Sequence, residues 1–278
     1  MNARDWDVDA AKARCRRYRK RILEISQRVS ALHIAPAFSA LEITDAVYHG
    51  LMRPPSGGGN RSADTFIMSK GHGYMAQAVI LEEQGILETR DIDEYCTPHG
   101  RLGAHPDYGN PGIEATSGSL GHGFGIAVGM AKADQILGAD RRLYVIIGDG
   151  ELQEGSVWEA ITMAPNLGLK NLTVFVDFND YQGLGRTSES HPFLYPVDEK
   201  VRSFGWASAD IDGHDSRAIM EAVEGNRGDK PIFVVCRTVK GQGVSYMQHA
   251  PIWHYRSPNK DEYAQALKEI DGAEIDAS

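Results

Sequence analysis

Cysteine is scarce in this chain, with three in 278 residues, at positions 15, 96 and 236. None has metal-ligand spacing. An odd, sparse count fits a reducing compartment, with thiols in core or surface roles. Long apolar runs are missing as well: no stretch approaches the ~20 residues needed to span a bilayer, so no membrane role is expected. Asp5, Asp7 and Asp9 stand where the apolar part of a secretory signal would begin. Positive charge is not in excess either. Lys and Arg number 29 against 38 Asp and Glu, a formal net charge of −9. That balance argues against a nucleic-acid partner and suits a soluble protein. The cluster Arg14, Arg16, Arg17, Arg19, Lys20 and Arg21 reads as a solvated helix face or a subunit contact. A cytoplasmic enzyme is the natural class. Internal repeats, low-complexity tracts and obvious linkers are also lacking. The expectation is one domain over 1–278, with helices in 8–52 packed on it and a tail from about 256 to 278.

What is present is a rhythm of apolar strands and amphipathic helices. Residues 8–30 read as a helix burying Ile22, Ile25 and Val29. Leu41 to Leu51 reads as a second, stopped by Pro54-Pro55 and the loop Ser56 to Gly59. Phe66 to Met68 is a short buried strand, followed by a helix from Met75 to Gln84. Residues 95–117 are loop-rich. Gly118 to Gly125 turns into a helix ending at Leu137. Then come strand 143–147, helix 156–167, strand 172–176, a long loop 177–197, strand 206–211, helix 217–224 and strand 232–236. Alternation of this kind predicts an α/β fold, a mainly parallel sheet with helices on both faces.

Two strands end in a shared pattern. Leu143 to Ile147 closes on Gly148-Asp149-Gly150-Glu151-Leu152-Gln153-Glu154-Gly155, and thirty residues after Asp149 comes Asn179, just past Leu172 to Val176. Asp and Asn are hard oxygen donors, suited to Mg²⁺ or Ca²⁺. The glycines let backbone N–H groups approach phosphate oxygens, and a helix starting near Gly155 adds its positive end. A divalent cation with a diphosphate is the ligand this spacing suits at the carboxyl ends of parallel strands. The bland alternatives are a strand-ending turn at Gly148 to Gly150 and a turn residue at Asn179-Asp180.

The spacing matches the thiamine-diphosphate fingerprint, and further motifs come after it in order along the chain or precede it. These are Ser69-Lys70-Gly71-His72-Gly73, Gly118-Ser119-Leu120-Gly121-His122-Gly123, Trp158-Glu159-Ala160, Asp212-Gly213-His214-Asp215 and Lys240-Gly241-Gln242-Gly243. Over nearly its whole length the chain resembles the N-terminal, diphosphate-binding half of transketolase, as a separately encoded first subunit of a split enzyme. The resemblance implies transfer of two-carbon ketol units between sugars or small carbonyl compounds, with thiamine diphosphate and Mg²⁺ (or Ca²⁺). It implies Asp149, Asn179 and the Tyr181 carbonyl as metal ligands. It places His72, Gly118, Ser119, Leu120, Gly150, Glu151, Asn179 and His254 at the cofactor. It gives catalytic roles to His33, His72, His105, His254 and Glu154, with His33 and His105 on the substrate side. Glu154 and Glu159 match acids that meet the partner near the cofactor; a solvated, acidic helix start is the alternative.

A partner is implied by the same resemblance: a C-terminal subunit carrying the pyrimidine-binding domain, in a heterotetramer. No second sheet domain that could supply that domain's activating Glu is legible here. Some positions depart from the family. Leu32-His33-Ile34-Ala35-Pro36-Ala37 replaces His-Pro-Gly-Gly, Ser119 and His122 stand for Pro and Gln, and Tyr255 stands for Gly. The altered His33 loop is expected to present a differently shaped wall to the sugar. Asn179 to Ser188, including Tyr181 to Gly185, has some similarity to the α subunits of 2-oxo-acid dehydrogenases. That class and a non-catalytic, partner-binding relic stay open as alternatives.

Overall fold

A computed structural model describes residues 3–29, 32–53, 64–183 and 185–272. The expected stop at Pro54-Pro55 and Ser56 to Gly59, Leu184, and the end of the tail lie outside the described residues. In chain order the helices are α1 (Val8–Ser26), α2 (Ile34–Ser39), α3 (Leu41–Ala46), α4 (Tyr74–Glu83), α5 (Thr89–Asp93), α6 (His122–Leu137), α7 (Gly155–Asn166), α8 (Thr187–Ser190), α9 (Val197–Ser203), α10 (Ser216–Gly225) and α11 (Lys260–Gly272). The strands are β1 (Thr65–Met68), β2 (Leu143–Gly148), β3 (Leu172–Phe178), β4 (Tyr181–Gln182), β5 (Gly185–Arg186), β6 (Ala207–Asp212) and β7 (Ile232–Arg237).

Five strands form one parallel sheet in the order β1-β2-β3-β7-β6. The central strands are buried on both faces, which is why they read as continuous apolar runs rather than alternating ones. Helices α6, α7 and α9 cover one face, packing Phe124, Ile161 and Val201 with Val145 and Val174. On the other face, α3 and α10 bring Ile43 and Ile219 against Ile146 and Phe175. A further layer joins α1, α2, α4 and α11 around Leu23, Phe38 and Ile80. The parallel α/β expectation holds.

Several elements differ from the reading of the sequence. The segment after His33 is a helix, α2, not a loop; all six of its residues are buried, so the apolar run reflects core packing. The second helix stops being α-helical at Ala46 and widens into a π-turn, Val47–Leu51. There Gly50 lies so close to Met220 and Trp6 that a Cβ would stand 2.7 Å from the Met220 sulfur. The long loop 177–197 contains the hairpin β4–β5 and the single turn α8. Helices α5, α9 and α11 were also not legible.

Candidate active site

The strands place the chemistry by register. Gly148 pairs with Asp177, so the residues following β2 and β3 meet side by side at the sheet's carboxyl edge. Lys70 and His72 follow β1, Asp149 follows β2, Asn179 follows β3 and Lys240 follows β7. A cleft of about 620 Å³ opens there. Its walls include His33, His72, His105, His254, Gly118, Leu120, Asp149, Gly150, Glu151, Glu154, Asn179 and Tyr181. Crevices outside the carboxyl ends of parallel strands are where such sheets bind ligands. Of the residues assigned to metal, cofactor or catalysis, Ser119 alone is not in the lining, and it is exposed; Glu159 and His122 also lie outside the lining and are exposed.

Most of the motifs position this cleft rather than act in it. The Lys70 ammonium is buried and forms an ion pair with Asp177, while also donating to the Pro36 carbonyl (3.1 Å). Asp177 additionally accepts from Ser39 (2.5 Å), Asn179 (3.1 Å) and Thr238. Burial alone would raise the Asp177 pKa, but Lys70 and the hydroxyl donors hold it below the usual carboxylate value. Gly71 and Gly118 approach until a Cβ on Gly71 would lie 2.7 Å from the Gly118 backbone, while a Cβ on Gly118 would meet the His105 ring. His214 accepts from the Val239 N–H (2.8 Å) and so donates through Nδ1 to Glu42 (3.0 Å). Asp215 caps α10. The Gly241 N–H donates to the Ala35 carbonyl (3.1 Å), tying the β7 turn to the helix that carries His33.

Glu151 lines the cleft, yet its carboxyl oxygens turn to the protein. They accept from Ser69 (2.5 Å), the Gly121 N–H (2.9 Å) and the Gly148 N–H (3.3 Å). It braces three loops together. The Gly150 N–H donates to Asp149 Oδ1 (3.0 Å). The Asn179 side-chain oxygen accepts from the Tyr181 N–H (3.1 Å) across Asp180, which takes a left-handed φ of 65°. Ile34, Ala35 and Pro36 are buried away from the cleft, so they do not form the differently shaped wall expected of them. Tyr255 does contribute a wall: its ring lies 4.4 Å from that of His254 and 5.5 Å from that of His33.

Electrostatics mark two features of the cleft, a buried carboxyl and a group of neutral imidazoles. Asp149 is 1% exposed, and no ion pair to it exists among the described residues; its carboxylate accepts from Thr187 (3.0 Å) and the Gly150 N–H. Burial, then the nearby Asp177 charge, push its pKa up to about 7. A buried carboxyl with no direct ion pair among the described residues, beside an amide oxygen, fits a hard divalent ion. Among the described residues no group of three His, Cys, Asp or Glu could hold a metal. Four imidazoles, His33, His72, His105 and His254, cluster with centroid separations of 5.2–6.0 Å. Burial lowers the pKa of His33, His72 and His254, the last to about 3, so these rings are neutral hydrogen-bonding groups. Lys70, Gln153, Gln182 and the Lys240–His254 contact were missed by sequence reasoning. Only their places beside recognised motifs could have signalled them.

Residues 14–277 match the family model for the transketolase thiamine diphosphate binding domain. The chain is 34% identical to one subunit of the apulose-4-phosphate transketolase of Phocaeicola vulgatus, over 95% of this chain and 94% of that one. It is 35% identical to a 6-deoxy-6-sulfo-D-fructose transketolase subunit of Clostridium sp., over 91% and 93% of the two chains. The fold superposes on the transketolase of Campylobacter jejuni with a TM-score of 0.87 at 24% identity, covering 96% of this chain and 43% of that one. The chain belongs to the transketolase family: it is a transketolase-type transferase subunit built on the thiamine-diphosphate-binding domain. This decides against the 2-oxo-acid dehydrogenase class. No described helix is long and apolar enough to cross a membrane.

Proposed function

We propose that this chain is the diphosphate- and metal-holding subunit of a two-subunit, Mg²⁺-dependent ketol transferase of the cytoplasm, acting on a sugar or related small carbonyl compound. The observation that carries the reading is Asp149, a buried carboxyl with no ion pair among the described residues, beside Asn179 in the cleft. Asp149, Asn179 and the Tyr181 carbonyl would hold the metal. His72, His254, Gly118, Leu120 and Gly150 would hold the cofactor, while Glu151 keeps the Gly121 and Gly148 turns in place. Ser119 is assigned no contact there. Thiamine diphosphate, when bound, supplies a nucleophilic carbon that cleaves and reforms the C–C bond beside a carbonyl. His33 and His105 would orient the substrate's hydroxyl and carbonyl groups and move their protons. Glu154, exposed at the mouth, would face the partner.

A second, partner chain is supported by the subunit designations of the relatives and by the outer face of α6. Ile126, Ile136 and Leu137 are 42%, 73% and 76% exposed there, with the exposed small residues Gly125, Gly129 and Ala133 on the same helix. An apolar, close-approach surface along α6, whose N-terminal end adjoins the cleft, suits the subunit carrying the pyrimidine-binding domain, in a heterotetramer of two such pairs. The relatives are named for apulose-4-phosphate and for 6-deoxy-6-sulfo-D-fructose. A ketose with an anionic tail is therefore the first substrate class to assay. The metal reading is tested by calorimetry on the assembled enzyme. Asp149→Ala should weaken Mg²⁺-dependent thiamine diphosphate binding by two orders of magnitude or more, on the scale of several kcal/mol. Asn179→Ala should be milder. Unchanged affinity for Asp149→Ala would refute the assignment.

A further inference from the structure

Two of the cleft's histidines use the same ring nitrogen in opposite ways. His33 Nδ1 lies 2.9 Å from the backbone carbonyl oxygen of His254. A carbonyl only accepts, so Nδ1 of His33 carries the proton. His254 Nδ1 lies 2.7 Å from Nζ of Lys240. An ammonium only donates, so Nδ1 of His254 is the bare nitrogen. No other hydrogen bond to either ring appears among the described residues, which leaves Nε2 of each to the cleft both line. Burial keeps both rings neutral, so each has one proton to place.

We infer that Lys240 and the His254 backbone hold the two imidazoles in opposite tautomers, so that the cleft is offered a bare Nε2 on His33 and an Nε2–H on His254. Lys240 is thereby a positioning residue. The Lys240 ammonium is itself fixed: it is 3% exposed, and it lies 5.4 Å from the centroid of the Tyr181 ring, against whose face it packs. Burial and then the Lys70 charge lower its pKa to about 8, against the favourable charges of Asp149 and Asp177, so the ammonium form still prevails at pH 7. The His33–His254 link also makes the pair a unit, since the ring of one donates to the backbone of the other.

The consequence, which rests on the proposed function for what each nitrogen faces, is a division of labour. His33 Nε2 can take the proton of a substrate hydroxyl: the O–H bond breaks, its electron pair stays on oxygen, and the N–H bond forms. The Nδ1–H then donates to the same carbonyl from a charged ring and steadies it, the arrangement in which an orienting acceptor supports a histidine base. The proton returns by the same path. His254 Nε2–H, on a neutral ring, can only donate. It suits anionic oxygen, whether of the diphosphate or of the substrate.

The tautomers can be read without cofactor, partner or turnover. The full chain, labelled with ¹⁵N in its histidine rings, is recorded at pH 7 in long-range ¹H–¹⁵N correlation spectra. His33→Asn and His254→Gln assign the signals by their disappearance. We expect the protonated-nitrogen pattern at Nδ1 of His33 and at Nε2 of His254. In Lys240→Met, His254 should shift toward the Nδ1–H form or a mixture, while His33 is unchanged; Lys240→Arg should restore the wild-type pattern. In the assembled enzyme, Lys240→Met should lower kcat at least tenfold with little change in the KM for the ketose. An Nδ1–H pattern for His254 in the wild-type chain would overturn the inference, as would a Lys240→Met spectrum identical to wild type. The wild-type spectrum decides even if that variant does not fold. Failure of the functional reading alone would instead leave the spectra as expected and the assembled enzyme without ketol transfer.

Discussion

Replacing Lys70 by Met tests whether the ion pair under the cleft holds the site together. Both side chains of the Lys70–Asp177 pair are 0% exposed. Met keeps the unbranched stem and removes only the charge and its donors. Asp177 would retain Ser39, Asn179 and Thr238 as neutral donors, and the Pro36 carbonyl would lose its Lys70 donor. Removing one member of a buried pair costs about 3–5 kcal/mol, because the remaining charge keeps its desolvation penalty. Unfolding entropy runs at about 2.1 cal/mol/K per residue, so ~1 kcal/mol moves the midpoint of a chain this size by roughly 1.7 °C. Lys70→Met should therefore lower the midpoint by roughly 5–9 °C at neutral pH, read by calorimetry without cofactor or metal. Lys70→Met/Asp177→Asn, which removes the stranded charge, should recover a large part of that loss. A single variant within about 2 °C of wild type, or a double variant no better than the single, would refute the reasoning.

Further outcomes are expected from other parts of the fold. Gly118 has φ of 123°, and a Cβ there would lie 2.8 Å from the His105 ring. Gly118→Ala should cost about 1–3 kcal/mol and displace His105. A lowered unfolding midpoint together with reduced turnover checks this; wild-type values for both would contradict it. His49 is held neutral by burial, then by Arg14 and Arg17, with its pKa lowered to about 4, although Asp45 lies 3.7 Å away and Tyr18 3.0 Å. Between about pH 6.5 and 4 the unfolded chain binds this proton and the folded chain does not, so stability falls as pH drops through that window, by up to ~3 kcal/mol. His49→Gln should flatten that part of the stability curve, and an unchanged slope in urea titrations at several pH values would exclude His49 as the source. Ile126→Glu puts a charge on the outer face of α6. Sedimentation with the partner should show loss of the assembly while the chain's own circular dichroism is retained; an intact assembly would move the interface elsewhere.

Much of the site was legible because its signals are local. Strands buried on both faces leave unbroken apolar runs, and in a parallel sheet the residues just past such strands share one edge. Asp149 and Asn179 could therefore be placed together from spacing alone, with His72 one strand away. The family motifs were legible for the same reason, since each is a short turn in which glycine or a cap is required locally. The segment after His33 was not legible: six buried residues with Pro36 near the start carry neither an amphipathic stripe nor a cap, and only packing among α1, α4 and the β7 turn makes them a helix. Roles inside the motifs were hidden too. Nothing in Ser69 to Gly73 says that Lys70 faces Asp177, 107 residues away, or in Lys240 to Gly243 that the lysine meets His254. Sequence determined which chemical groups stand at the ends of which strands. Tertiary structure decided which of those groups neutralise one another, which stay without a counter-charge, and which nitrogen of each imidazole is free, because burial and partner geometry are properties of the assembled sheet edge and of no single segment.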